Sequence, residues 1–264
     1  MPQITPKDTY LPQYTNIVDY DAATGNLLFR GNCPIRSTSP YLYAYYDLDQ
    51  TVTSIVSALA TQQPSLRLPA DFTLARYNLL DINLLDNQGD VDDWTAVCDS
   101  FGVDTASLSQ WPPYSVQPWL PSTLLGNGMV MTDSEPQPGN MVWWPFEPEM
   151  NQLASGCQFD GLVAYANAQL RTAPPAGSNP TVIYVHCDSG VNRTGTFVAA
   201  YLLNYGSSIY AGITTLEEAC NNATVPVSGT IQYPAKGGYF SILHSYCKLL
   251  GNKETLGCSY DPNK

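Results

Sequence analysis

The amino-acid sequence predicts an α/β fold with a central, largely parallel sheet flanked by helices. Three observations point there. The β-branched run Thr181–Val185, within TVIYVHC, reads as a buried strand. It passes through a short polar loop into Thr196–Tyr205, an apolar stretch of helical length, so strand, loop and helix form one unit. Strand-like and helix-like segments also alternate along the chain, the order that builds an α/β sandwich with a largely parallel central sheet. With 264 residues, 44% of them hydrophobic, the chain has ample material for one core, and residues 1–264 read as a single domain.

The elements follow in order. Residues 1–16 read as an irregular lead-in. Gly25–Pro34, GNLLFRGNCP, predicts a short strand entering a turn, and Leu48–Ala60 a helix. Leu74–Leu85, with clustered Leu and Ile, predicts a core strand. Residues 86–140 are rich in Asp, Gly, Pro, Ser and Trp. They predict loops with one short helix near Trp94–Phe101, in a stretch longer than an ordinary connection. We read it as a loop-rich insertion or a substrate-shaping region. Phe159–Leu170 predicts a helix with Asp160 as its N-cap, after which Pro174-Pro175 turns the chain back to the buried strand. Leu216–Cys220 predicts a short helix. Gly238–Leu250 carries apolar residues at i, i+3 and i+4 and predicts a closing helix.

Composition narrows the function classes. Against 23 Asp and Glu stand 11 Lys and Arg, a net charge of −12. No basic cluster interrupts this balance, so nucleic-acid backbones and anionic membranes are repelled, and nucleic acid is not the expected partner. No run of 18 apolar residues occurs, so no membrane span is expected. The opening MPQITPKDTY lacks a basic-plus-apolar leader. A cytoplasmic protein is the simplest expectation, with secretion by a signal-independent route as the alternative. Seven cysteines, at 33, 98, 157, 187, 220, 247 and 258, show no CxxC pair. That spacing argues against a zinc site and against a regular disulfide framework. A single bridge among the six other than Cys187 stays open. No metal or cofactor is expected.

The chemistry concentrates where the buried strand ends. Cys187 opens the loop and Arg193 closes it, with Asp188, Ser189, Gly190, Val191 and Asn192 between them. Inward-pointing amides beside a helix N-terminus bind an anion without side-chain charge. The same field favours a thiolate, the nucleophilic form of cysteine. A guanidinium offers the planar fork that matches two phosphoryl oxygens. Gly190 permits a tight turn, and the Thr194 hydroxyl can donate to a departing sulfur.

This His-Cys-x5-Arg-Thr pattern resembles the signature of the cysteine-based protein tyrosine phosphatase superfamily, which includes the dual-specificity enzymes. The resemblance is densest over residues 180–205 and extends in outline over 141–250. It implies a protein tyrosine phosphatase-like α/β fold. It also implies Cys187 as nucleophile, Arg193 and the residues 188–192 as the phosphate cradle, and His186 as organiser of the loop. The segment Trp143-Trp144-Pro145-Phe146-Glu147-Pro148-Glu149 is similar to the family's WPD loop, which carries the general acid. Phe146 stands where the aspartate belongs. Glu147, 40 residues before Cys187, is therefore the expected acid, with Glu149 second. Ile231-Gln232, 45 residues after Cys187, resembles the Ile-Gln whose glutamine positions the hydrolytic water, although Tyr233 replaces the usual threonine. Leu28-Phe29-Arg30-Gly31 resembles the opening of many dual-specificity enzymes.

The implied function is phosphomonoester hydrolysis on a phosphorylated protein, phosphotyrosine first or with dual specificity, through a cysteinyl-phosphate. Asp188 and Asn192 depart from the common Ser and Gly. An Asp188 carboxylate facing the loop mouth would disfavour polyanionic substrates; one facing away would be structural. Asn192-Arg193-Thr194-Gly195 is similar to the ending in the RNA 5′-triphosphatase branch, an alternative that the acidic balance opposes. Phosphoinositide hydrolysis is a further alternative, opposed by a loop without lysines. A phosphate-binding pseudophosphatase is another, opposed by the presence of both Cys187 and Arg193. The second histidine, His244, falls on the apolar closing helix, where a packing role is expected rather than base catalysis.

Overall fold

The apolar run that ends at Cys187 occupies the middle of a six-stranded sheet. In the computed structural model, which describes residues 10–36, 42–84, 116–119, 139–144, 158–227, 230–232, 238–252 and 254–261, the strands are β1 (Asn16–Tyr20), β2 (Leu27–Asn32), β3 (Ile35–Arg36), β4 (Leu42–Tyr43), β5 (Asn78–Asn83), β6 (Val116–Trp119), β7 (Gly139–Trp143), β8 (Thr181–Cys187), β9 (Val225–Val227) and β10 (Thr230–Gln232). The helices are α1 (Tyr45–Gln62), α2 (Gln158–Arg171), α3 (Asn192–Tyr205), α4 (Leu216–Asn222) and α5 (Gly238–Leu249). The main sheet has the order β1-β2-β8-β5-β7-β6. Its four inner strands are parallel and both edge strands antiparallel. The β1 edge follows from connection length. A turn in which Asp21 N–H donates to Asn26 O at 3.0 Å joins β1 to β2, and so short a link permits only antiparallel pairing.

Two layers of side chains explain why β2 is buried throughout and β8 from Val182 onward. Leu27, Phe29, Val182 and Tyr184 face α1, which supplies Tyr45, Leu48, Val52 and Val56. Leu28, Ile183, Val185 and Cys187 face the opposite layer, where α2, α3, α4 and α5 supply Phe159, Leu162, Phe197, Leu216 and Leu243. The near-continuous apolar run Val182–Val185 of β8 is the sequence mark of this double covering. Alternation along β8 therefore puts His186 and Cys187 on opposite faces of the sheet.

Several boundaries differ from the sequence expectation for identifiable reasons. The expected lead-in contains a 3-10 turn at Pro12–Tyr14 and leads into the whole strand β1 at Asn16. That strand has too few residues to show a period. The expected strand Leu74–Leu85 begins only at Asn78, because Leu74–Arg76 forms a 3-10 turn whose Leu74 N–H donates to Asp49 Oδ1 of α1 at 2.6 Å. Asp160 lies in the first turn of α2 rather than at its N-cap, and accepts from Gly161 N–H at 2.8 Å. A carboxylate there still complements the helix dipole. Within residues 86–140, Val116–Trp119 adds an edge strand to the main sheet through β7, with Pro118 at the edge where a missing N–H is tolerated. The helix expected near Trp94–Phe101 lies outside the described residues.

One buried carboxylate ties the sheet edge to the helical layer. Asp19 on β1 has no solvent exposure. It accepts from Arg171 Nη2 of α2 at 2.6 Å and from Tyr201 Oη of α3 at 2.8 Å. It also accepts the main-chain N–H groups of Ser208 at 2.7 Å and Tyr20 at 2.8 Å. Removing it strands several donors at once, so Asp19→Ala should lower stability by about 3 kcal/mol. Urea unfolding checks this, and a loss below about 1 kcal/mol would contradict the network.

Buried phenols set an alkaline limit. Burial pushes Tyr77 up to about 12 from an ordinary 10.0, and raises Tyr20, Tyr165 and Tyr246 as well. The fold favours the neutral phenols, so their contribution is complete below pH 10.0 and is lost as pH rises through about 12. Tyrosinate absorbance and loss of ellipticity should therefore rise together in that window. Complete phenol ionisation with ellipticity retained would be the opposite result.

Candidate active site

Strand β8 delivers Cys187 to the carboxyl edge of the sheet between two parallel neighbours, with Asn32 of β2 opposite Cys187 and Asn83 of β5 opposite His186. The chain then turns over β2 and enters α3 at Asn192. Gly190 makes the turn possible. Its φ is +71°, and a Cβ there would lie 2.6 Å from Gly31 O and 2.7 Å from Asn32 N. The loop thus rests directly on the β2 backbone. Two of its carbonyls are held from that side: Asp188 O accepts Cys33 N–H at 3.0 Å, and Gly190 O accepts from Arg30. Val191, which precedes α3, makes no side-chain cap, leaving first-turn N–H groups directed at the loop.

The side chains fit this cradle. Cys187 ends β8 at the start of the loop and is 1% exposed. Thr194 is fully buried, and its Oγ1 has no hydrogen-bond partner among the described residues. Arg193, half-buried, donates from Nη1 to Leu84 O at 3.2 Å, beside the point where Leu84 N–H bonds to His186 O at 2.8 Å. The guanidinium is thereby anchored to the end of β5. A tight loop at the sheet edge, a buried thiol, an arginine on the first turn of a helix and a buried hydroxyl are parts that phosphoryl transfer to sulfur can use.

Residues 154–227, which contain β8, the loop and α3, match the family described as "PTP-SAK: Swiss Army Knife protein, DSP-PTPase phosphatase domain". The match covers this segment, the one that holds Cys187 and Arg193, and not the rest of the chain. No curated protein matches it. Among solved structures it is similar to the protein tyrosine phosphatase TbPTP1 of Trypanosoma brucei, with 15% identity, 90% of this chain and 73% of that chain covered, and a TM-score of 0.37. It is also similar to the Trypanosoma cruzi protein tyrosine phosphatase TcPTP1, with 14% identity, coverages of 90% and 72%, and a TM-score of 0.35. Scores of this size transfer no residue role and no substrate.

The other expected residues of the phosphatase domain are placed unequally. Glu147 and Glu149 lie outside the described residues. The chain leads toward them from Trp144, which is buried against Tyr165 with ring centroids 5.8 Å apart. Because β7 runs parallel to β5 and β5 to β8, Trp144 leaves the sheet at the same edge as Cys187. Gln232 ends β10, its backbone opposite Val225. Val225 packs with Tyr14 against Val191 of the loop, so this hairpin lies beside the cradle. Asp188, Ser189 and Asn192 are half-buried along the loop.

His186 has a partner that sequence reasoning missed. Its Nε2 lies 2.8 Å from Oδ1 of Asp81 on β5, and both residues are fully buried on the α1-facing side of the sheet. An aspartate inside an apolar strand was the available signal, since a carboxylate there needs a buried partner. Arg30 was noticed only as part of a strand motif, yet it is buried beneath the loop. The bridge left open by the cysteine spacing is Cys247–Cys258, with Cα atoms 5.6 Å apart. Among the described residues, Cys33, Cys187 and Cys220 form no disulfide. Burial pushes the Cys220 thiol up to about 12, unlike a nucleophile. His244 Nε2 lies 2.6 Å from Tyr260 O, and its ring meets Phe240 edge-on, a packing role within the closing helix and final turn.

Gly190→Ala tests the loop geometry against a matched control. Gly177 shares the positive φ, at +81°, but a Cβ there meets nothing within 4 Å. Gly177→Ala should cost about 1 kcal/mol and leave phosphate binding intact. Gly190→Ala should weaken inorganic phosphate binding by about tenfold or more, because the loop must lift off β2. Equal behaviour of the two variants in calorimetry would show that the loop is not seated on β2.

Proposed function

We propose that the chain is a phosphomonoester hydrolase, a protein tyrosine or dual-specificity phosphatase that works through a cysteinyl-phosphate. The observation that carries this reading is the loop pinned by Gly190 between a buried Cys187 and the uncapped start of α3. The Cys187 thiolate attacks phosphorus, forming the S–P bond as the ester P–O bond breaks. Arg193 and the loop amides stabilise the equatorial oxygens, where charge accumulates. Glu147 gives its proton to the leaving oxygen. It then takes one from a water positioned by Gln232, which breaks the S–P bond, and the Thr194 hydroxyl donates to the departing sulfur. A net charge of −12 disfavours an anionic substrate at long range, so affinity must arise within the loop. A phosphorylated protein segment, presenting one phosphate to the cradle, fits this balance better than a polyanionic nucleic acid.

For location, we infer a reducing, cytoplasmic setting from the need to keep Cys187 a thiol. The Cys247–Cys258 bridge favours the alternative of an oxidising compartment, where such bonds persist.

The test is hydrolysis of an aryl phosphate across pH in EDTA and reductant. Wild-type activity should survive EDTA, and Cys187→Ser should lose more than about 1000-fold. Glu147→Gln should lose about 100-fold or more and with it the basic limb of the pH profile. Activity that persists in Cys187→Ser, or that EDTA abolishes, would overturn the mechanism. Phosphotyrosine and phosphoserine peptides, compared with a 5′-triphosphate RNA, then rank the substrates.

A further inference from the structure

Arg30 is a charged side chain in the middle of β2, 2% exposed, and its neighbours are unusual. Its guanidinium donates to two main-chain carbonyls, Gly190 O in the loop and Ala223 O between α4 and β9. Among the described residues no carboxylate pairs with it, and its Nε has no hydrogen-bond partner. Burial pulls it down to about 10, while Cys187, then Tyr210 and Tyr184, act in the opposite sense. A buried cation without a carboxylate is costly for a fold, so packing alone gives no reason for it. Its surroundings give another. Arg30 shares a sheet face with Leu28 and Cys187, directly under the loop.

The peptide plane supplies the mechanism. In a trans peptide the carbonyl of one residue and the N–H of the next point in opposite directions. A Gly190 carbonyl held down toward Arg30 therefore turns the Val191 N–H away from β2 and into the cradle. Gly190 needs such a hold, because a glycine at φ +71° has no side chain to oppose a flip of that peptide. The second arm reaches Ala223, two residues before Val225, and Val225 both packs on Val191 and pairs with Gln232. One rigid fork thus sets the register between the phosphate loop and the hairpin that carries Gln232. A lysine ammonium, a point donor on a flexible stem, does not reproduce a two-carbonyl fork.

We propose that Arg30 is a positioning residue for phosphoryl transfer: by clamping the Gly190 and Ala223 carbonyls it presents the Val191 N–H to the bound phosphoryl group and aligns the Gln232 hairpin with it. The proposal rests on the phosphatase reading of the loop.

The experiment compares full-length wild type, Arg30→Lys and Arg30→Met. It measures thermal melting, inorganic phosphate binding by calorimetry, and steady-state hydrolysis of an aryl phosphate. Arg30→Lys should fold, bind phosphate about tenfold more weakly, and lose about 100-fold in kcat with a smaller change in KM. Arg30→Met should be at least as impaired in kcat. A folded Arg30→Lys with binding and kcat within about twofold of wild type would overturn the proposal, since one lost oxyanion donor costs far more. A loss of melting temperature with phosphate binding and kcat retained would make Arg30 structural only, and would also overturn it. So would failure of both variants to fold. If wild type itself neither binds phosphate nor hydrolyses the ester, the phosphatase reading fails instead, which is a separate outcome.

Discussion

The architecture depends on close backbone contact at the end of β2. Gly31 and Asn32 receive the loop from one side, with Gly190 so near that no Cβ fits between them. From within the sheet, Tyr184 Oη donates to Asn32 O at 2.8 Å, and a Cβ at Gly31 would lie 1.8 Å from that hydroxyl. Cys187 pairs with Asn32 in the same register. Two glycines and a buried tyrosine thereby fix the height of the loop above the thiol. Rigid scaffolds hold catalytic constellations more precisely than mobile loops do, and here the loop borrows its rigidity from a strand.

Electrostatics follow from that placement. The chain is strongly acidic, yet two arginines flank the loop, one half-buried at the start of α3 and one beneath it. Local dipoles and two guanidinium groups set the field at Cys187, while the distant surface charge is screened by salt. The buried Asp81–His186 pair lies on the other face of β8 and holds the strand that presents the thiol, rather than adding charge on the loop's own face. Asp19, at the far edge, holds β1 to α2 and α3 so that the helical layer behind the loop keeps its position.

Legibility in the sequence tracked distance along the chain. The strand–loop–helix unit was readable because all its parts are contiguous: a run of buried residues, a glycine at the turn and an apolar helix. The flanking helices were readable from their apolar stretches: α1 and α2 extend the expected spans by a few residues, and α5 ends one residue short of its expected span. The edge strand β1 was not, because five residues with a single polar interruption show no dependable period. Asp81 and Arg30 were not, because their significance lies in partners 105 and 160 residues away. The bridge between Cys247 and Cys258 shows no spacing motif, and only the packing of α5 against the final turn joins them.

By itself, then, the sequence determined the α/β class, the burial of β8 and the chemical order thiol, glycine turn, arginine, helix, since each is set by neighbours within a few residues. The tertiary structure alone decided which strands flank β8, that the edges run antiparallel, that a buried arginine clamps the loop from β2, and that His186 meets Asp81 across the sheet. Those facts depend on side chains brought together from distant parts of the chain. Burial makes their hydrogen bonds obligatory, and one-dimensional spacing carries no record of who completes them.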